Sequence, residues 1–85
     1  EVTFELPSEA SEAMLVCEAN GWEPVAMKKS KGTFAAKLRV PANGRYQYRF
    51  LLNNNEWVND DAADAYVPNE HGSINSVVET YSNGH

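Results

Sequence analysis

Two tryptophans stand among residues that seek water. Trp22 sits in Asn20-Gly21-Trp22-Glu23-Pro24, and Trp57 follows Asn53-Asn54-Asn55-Glu56 and precedes Val58-Asn59-Asp60-Asp61. An indole offers a large flat apolar face at little entropic cost, with one N–H at its edge. Displayed on a surface, it suits a ligand that also has a flat apolar face. A sugar ring is such a ligand: one face is C–H groups and the rim is hydroxyls. The rim calls for planar donors and acceptors, which Arg49 and the neighbouring asparagines supply. Aromatics beside an arginine also mark protein–protein hot spots. A carbohydrate platform and a protein-docking surface are therefore both open at this level.

Other chemistry is poorly served. Asp60, Asp61 and Asp64 do not have the spacing of a calcium-binding loop, which needs ligands at alternate positions and a later bidentate glutamate. They read as carboxylates of a turn or a helix start. Glycoside hydrolysis needs two carboxylates opposed across a cleft, and adjacent residues on a shallow domain do not provide that. His71 and His85 have no partners at metal-ligand spacing. Cys17 lies in an apolar run and reads as a buried structural thiol. The chain is expected to be non-catalytic, with no metal and no cofactor.

The totals agree. A chain of 85 residues is one domain, with too thin a core for a deep active site. The formal net charge is −5, and the densest basic cluster is Lys28-Lys29 with Lys31 nearby. Nucleic acid and anionic membranes need concentrated positive charge and are poor partners. The single cysteine excludes an internal disulfide, and no signal peptide or membrane span is visible. A soluble, cytoplasmic domain is expected.

The elements that must position these residues are short strands. Val2 to Leu6 alternates and is ended by Pro7; Ala13 to Cys17 reads as a buried strand; Val25 to Lys29 as a short edge strand, open to pairing with a partner. A turn at Ser30-Lys31-Gly32 leads to Thr33–Val40, with Phe34, Ala36, Leu38 and Val40 on one face. Pro41-Ala42-Asn43-Gly44 is a turn. In Arg45 to Phe50, Tyr46, Tyr48 and Phe50 share one face and Arg45, Gln47 and Arg49 the other. Glu56-Trp57-Val58 is a strand, Asn59–Gly72 a polar excursion with a helical turn at Asp61–Asp64, and Ile74–Tyr81 the last strand. About seven or eight short strands in one chain imply an all-β, antiparallel sandwich of the immunoglobulin type. Residues 1–80 are expected to form it, with residues 81–85 as a frayed tail.

The direction of Trp57 turns on register. With Asn53-Asn54-Asn55 as a three-residue hairpin loop, Leu51 faces Trp57 and Phe50 faces Val58. Trp57 and Leu51 then lie on the outer face with Arg49 diagonally adjacent. A two-residue loop would swing the indole into the core. The three-residue loop is preferred because it buries Val58 with Phe50. Trp22 lies in a loop between strands, where it is either displayed or caps the end of the sandwich.

Asn20-Gly21-Trp22, Gly44 to Phe50, Glu56 to Asp60 and Asn69 to Val78 together resemble the family 48 carbohydrate-binding modules. These include the glycogen-binding domain of the AMP-activated protein kinase β subunit and the amino-terminal early-set domains of isoamylases and branching enzymes. The resemblance runs from Val2 to Glu79. It implies an early-set immunoglobulin-like sandwich that binds α-1,4-glucan, either glycogen- or starch-like polysaccharide or malto-oligosaccharide. It also implies that Trp22 and Trp57 stack on glucose, that Arg49 stands where relatives use a lysine, and that Asn75 bonds a glucose with Ser73 in a threonine position. His71 replaces a leucine that reaches into the sugar chain, and the hairpin turn is one residue longer. The alternative is a structural domain that docks on a glycoside hydrolase or kinase-type catalytic domain without binding sugar.

Overall fold

The computed structural model describes residues 1–69 and 72–80. His71 and the expected tail, residues 81–85, lie outside the described residues. Among the described residues there are nine strands: β1 (Val2–Pro7), β2 (Ala13–Cys17), β3 (Val25–Ala26), β4 (Lys28–Ser30), β5 (Thr33–Leu38), β6 (Arg45–Leu52), β7 (Glu56–Val58), β8 (Ala65–Pro68) and β9 (Ile74–Glu79). A 3₁₀ turn, Glu18–Asn20, follows β2. All pairings are antiparallel. One sheet runs β1-β5-β4; the other runs β3-β2-β6-β9-β8, with β7 also paired to β6. The fold is the expected all-β sandwich. Among the described residues no helix is long and apolar enough to cross a membrane.

The core fills the space between the sheets. Phe4, Leu6 and Phe34 come from the smaller sheet; Ala13, Leu15, Cys17, Tyr48, Phe50 and Leu52 come from the larger. Phe4 meets Tyr48 edge-on across the gap, with centroids 4.8 Å apart, and Tyr48 meets Phe50 the same way at 5.7 Å. Each fully buried large side chain, such as Phe34 or Phe50, contributes about 1.5–3 kcal/mol by leaving water. The alternation in β6 is what aims Tyr48 and Phe50 inward, and it leaves Gln47, Arg49 and Leu51 on the outer face.

Four expectations are corrected. Val25–Lys29 is not one edge strand. It breaks at Met27, which is buried and donates its N–H to Ala13 O at 3.0 Å. The chain crosses there from the larger sheet to the smaller, because an apolar side chain at the midpoint gains more in the core than on an edge. Within the Asn59–Gly72 excursion lies β8, whose Tyr66 and Val67 pair with Ser76 and Asn75. The expected helical turn at Asp61–Asp64 is a capped turn: Ala62 N–H donates to Asp60 Oδ1 at 2.9 Å and Ala63 N–H to Asp60 O at 3.2 Å. β5 stops at Leu38 rather than Val40, although Val40 is still buried.

The turns follow their residue types. Lys31 and Gly32, with φ of 52° and 82°, form the two-residue connection of the β4–β5 hairpin, the left-handed pair that matches strand twist. Asn43 (φ 60°) carries the chain into β6, and its N–H donates to Thr80 O at 2.8 Å.

Candidate functional site

The β6–β7 hairpin sets the first half of the site. Asn53 and Asn54 have φ of 50° and 63°, a left-handed conformation that asparagine tolerates better than other side-chain-bearing residues. Asn53 Oδ1 accepts N–H bonds from Ser11 (3.1 Å) and Glu12 (3.2 Å), and Asn53 N–H donates to Glu12 O at 3.1 Å. These bonds tie the turn to the chain entering β2. The loop has three residues, with Leu52 opposite Glu56, Leu51 opposite Trp57 and Phe50 opposite Val58. The expected register holds, and Trp57 lies on the outer face, 48% exposed. The Arg49 guanidinium carbon is 5.1 Å from the indole centroid, within range of a cation–π attraction.

Trp22 reaches the same face from the other end of β2. The 3₁₀ turn ends in Gly21 (φ 76°), and Trp22 itself has φ 68°. Gly21 N–H donates to Glu18 O (3.1 Å) and Trp22 N–H to Cys17 O (2.9 Å), while Asn20 Nδ2 donates to Glu23 O at 3.1 Å. A left-handed conformation costs a residue with a Cβ about 1–2 kcal/mol, and such strain tends to persist where it serves a site. Here the strained position presents an indole that is 43% exposed.

The two indoles border one groove of about 510 Å³, whose floor and walls also hold Val16, Gln47 and Arg49 from β2 and β6. Pro68, Asn69 and Asn75 complete it from the β8–β9 side. Trp22, Arg49, Trp57 and Asn75 are thus brought together. Leu51 shares the face and pairs with Trp57 but is not part of the groove wall, and neither is Ser73, which enters through its backbone: its N–H donates to Asn69 Oδ1 at 3.1 Å. Sequence reasoning did not single out Val16, Gln47, Pro68 or Asn69. Gln47 was legible as a neighbour of Arg49 on the polar face of β6. Pro68 and Asn69 were hidden because β8 was read as loop.

The wall is polar without being acidic. Its charged side chain is Arg49, whose Nε is buried and finds no acceptor among the described residues. Stacking on Trp57 therefore does much to hold this guanidinium. Among the described residues the one ion pair is Arg45–Glu79, 3.1 Å apart. Asn75 is 7% exposed; its Nδ2 donates to Gln47 Oε1 at 2.8 Å and its Oδ1 accepts from Asn69 Nδ2 at 3.1 Å.

A second polar cluster braces the site from the core side. Tyr48 Oη donates to Asp60 Oδ2 at 2.6 Å, Asp60 N–H donates to Ser76 Oγ at 2.9 Å, and Ser76 Oγ donates to Asn59 Oδ1 at 2.9 Å. Burial, then the bond to Asp60, pushes the Tyr48 phenol well above its usual range. Burial also raises the Cys17 thiol, although Ala19 N–H donates to its sulfur at 3.4 Å. Asp60 is thus occupied in structure. Among the described residues no group of three His, Cys, Asp or Glu is placed to hold a metal ion.

Among curated proteins no sequence matches the chain significantly. A family model does: the one described as the glycogen recognition site of AMP-activated protein kinase matches residues 1–84, which takes in both sheets and every residue of the groove. The chain accordingly belongs to that family of glycogen-recognising carbohydrate-binding modules.

Proposed function

We propose that this module binds α-1,4-linked glucan, of the glycogen or starch kind, without chemically altering it, and that the groove on the outer face of the larger sheet is the binding site. The observation that carries the reading is the placement of both exposed indoles on one groove, with Arg49 over Trp57 and the amides of Gln47, Asn69 and Asn75 in its wall. Trp22 and Trp57 stack on glucose rings, with Leu51 beside Trp57. Arg49 and the amides of the wall engage hydroxyls, with Asn75 bonded among those amides. Guanidinium and amide groups offer planar hydrogen-bond donors and acceptors, so this wall is suited to holding hydroxyls.

Each stacked ring contributes on the order of 1 kcal/mol beyond area burial, by analogy with aromatic pairs. A few such contacts on an open surface correspond to a dissociation constant on the order of micromolar to millimolar. Retention on a polymer is tighter because many sites are offered in tandem.

The test is mobility in a native gel cast with glycogen, alongside tryptophan fluorescence titrated with maltoheptaose. Wild-type protein is retarded, and Trp57→Ala runs as in a sugar-free gel with its circular dichroism spectrum unchanged. Equal retardation of the two removes Trp57 from the site. No response of wild type to either ligand favours a docking domain that uses the same aromatics against a protein.

A further inference from the structure

Three side-chain amides in the groove wall are joined in a row, and the row has a direction. Ser73 N–H donates to Asn69 Oδ1, Asn69 Nδ2 to Asn75 Oδ1, and Asn75 Nδ2 to Gln47 Oε1, at 3.1, 3.1 and 2.8 Å. The oxygen and nitrogen of an amide are alike in shape, so an isolated Asn or Gln fits either way round. A backbone N–H, however, can only donate. It requires oxygen from Asn69, which then presents nitrogen to Asn75; the same choice passes to Asn75 and on to Gln47. Oε1 is turned to Asn75 and accepts there, so the group that Gln47 presents without a partner among the described residues is Nε2, a donor. Gln47 lines the groove two residues before Arg49 on the same face of β6, and a guanidinium is likewise a donor without acceptor capacity. Asn75, in contrast, is almost wholly buried and already bonded through both its oxygen and its nitrogen.

We propose that Gln47 is a specificity-determining residue of the glucan site. Asn69 and Asn75 hold it in the orientation that leaves Nε2 free, and from there it donates to an oxygen of the bound sugar beside Arg49. Asn75 then acts chiefly as a positioning residue. The assignment rests on the groove being the glucan site. It makes this part of the wall select ligands that place acceptor oxygens side by side, as the hydroxyls of a glucan do.

Gln47→Glu tests it. The substitution keeps the shape and the acceptor for Asn75, and at neutral pH replaces the free donor with a carboxylate oxygen. In an amide chemical-shift titration of the full chain with maltoheptaose, affinity falls about tenfold or more at neutral pH. It recovers as pH is lowered through the carboxylate range near about 4, where the second oxygen carries a proton and donates. Gln47→Met, which neither donates nor titrates, is weakened at both pH values. Affinity of Gln47→Glu within about twofold of wild type at neutral pH, or a loss that acid does not reverse while the spectrum stays native, overturns the assignment. Trp57→Ala in the same titration separates the two claims. If it loses binding while Gln47→Glu keeps it, the groove stands and the role of Gln47 falls. A wild type that does not respond to maltoheptaose overturns both.

Discussion

The guanidinium carbon of Arg49 lies 5.1 Å from the centre of the Trp57 indole, on the face of the larger sheet that points away from the core. The pair is assembled by the hairpin: Trp57 is opposite Leu51, and Arg49 is the next residue of β6 on that face. The ring is steadied by the cation, and the cation is kept beside the groove with its donors directed by a planar partner.

Arg49→Met keeps the aliphatic stem and removes the charge. Stability changes by about 1 kcal/mol or less in urea denaturation, since a cation–π pair on a half-exposed indole is worth about 0.5–1 kcal/mol. Maltoheptaose affinity falls by about tenfold or more, as expected when a charged donor to hydroxyls worth about 1.5–3 kcal/mol is lost. Isothermal titration and a urea melt on the same preparation check both halves.

Trp22 occupies a left-handed position, so alanine and glycine should reverse their ordinary order there. Both variants lose the ring and, with it, glucan binding. Trp22→Gly is more stable than Trp22→Ala by about 1 kcal/mol, because the left-handed penalty on a Cβ exceeds the entropic cost of glycine. Thermal melts of the two variants give the comparison, and an alanine variant at least as stable as the glycine one contradicts the strain.

Tyr48 links stability to alkaline pH. Below the ordinary phenol value of 10.0 the group is protonated in folded and unfolded chains alike, and its hydrogen bond to Asp60 contributes fully. Above that value the unfolded chain releases the proton while the folded chain retains it. The unfolded state then binds fewer protons, so stability falls as pH rises, by up to about 1.4 kcal/mol per pH unit from this residue. Tyr48→Phe removes this part of the slope. At neutral pH it also destabilises the fold by about 1–3 kcal/mol, because Asp60 loses a donor. Urea midpoints from neutral to strongly alkaline pH for both proteins supply the check.

Cys17 is fully buried, with its thiol pushed up by desolvation. Since the thiolate is the nucleophile, the folded protein resists iodoacetamide at mildly alkaline pH, and urea-unfolded protein is alkylated quickly. Intact mass spectrometry over time distinguishes the two. Fast alkylation of the folded chain places the thiol at the surface.

Much of this fold is legible in the order of residues. Period-two alternation in Arg45–Leu52 names the inner and outer faces of β6, because successive side chains of a strand must point opposite ways. The crossing at Met27 and strand β8 are less legible. Both segments are short, and β8 is bounded by residues that local preference assigns to loop. What makes β8 a strand is pairing with β9, a partner supplied by tertiary structure.

The hairpin that carries Trp57 is written in the local order of residues. Asn53 and Asn54 tolerate the left-handed turn, and the alternation on either side then favours one register, with Leu51 and Trp57 outward. That Trp22 borders the same groove, and that Asn69 and Asn75 join Gln47 in one row of bonds, follows from the packing of distant segments. Asn75 and Gln47 are 28 positions apart, and no local pattern encodes which distant strands become neighbours. That is settled when the two sheets bury Phe4, Tyr48 and Phe50 between them, and the outer face takes whatever arrangement the core imposes.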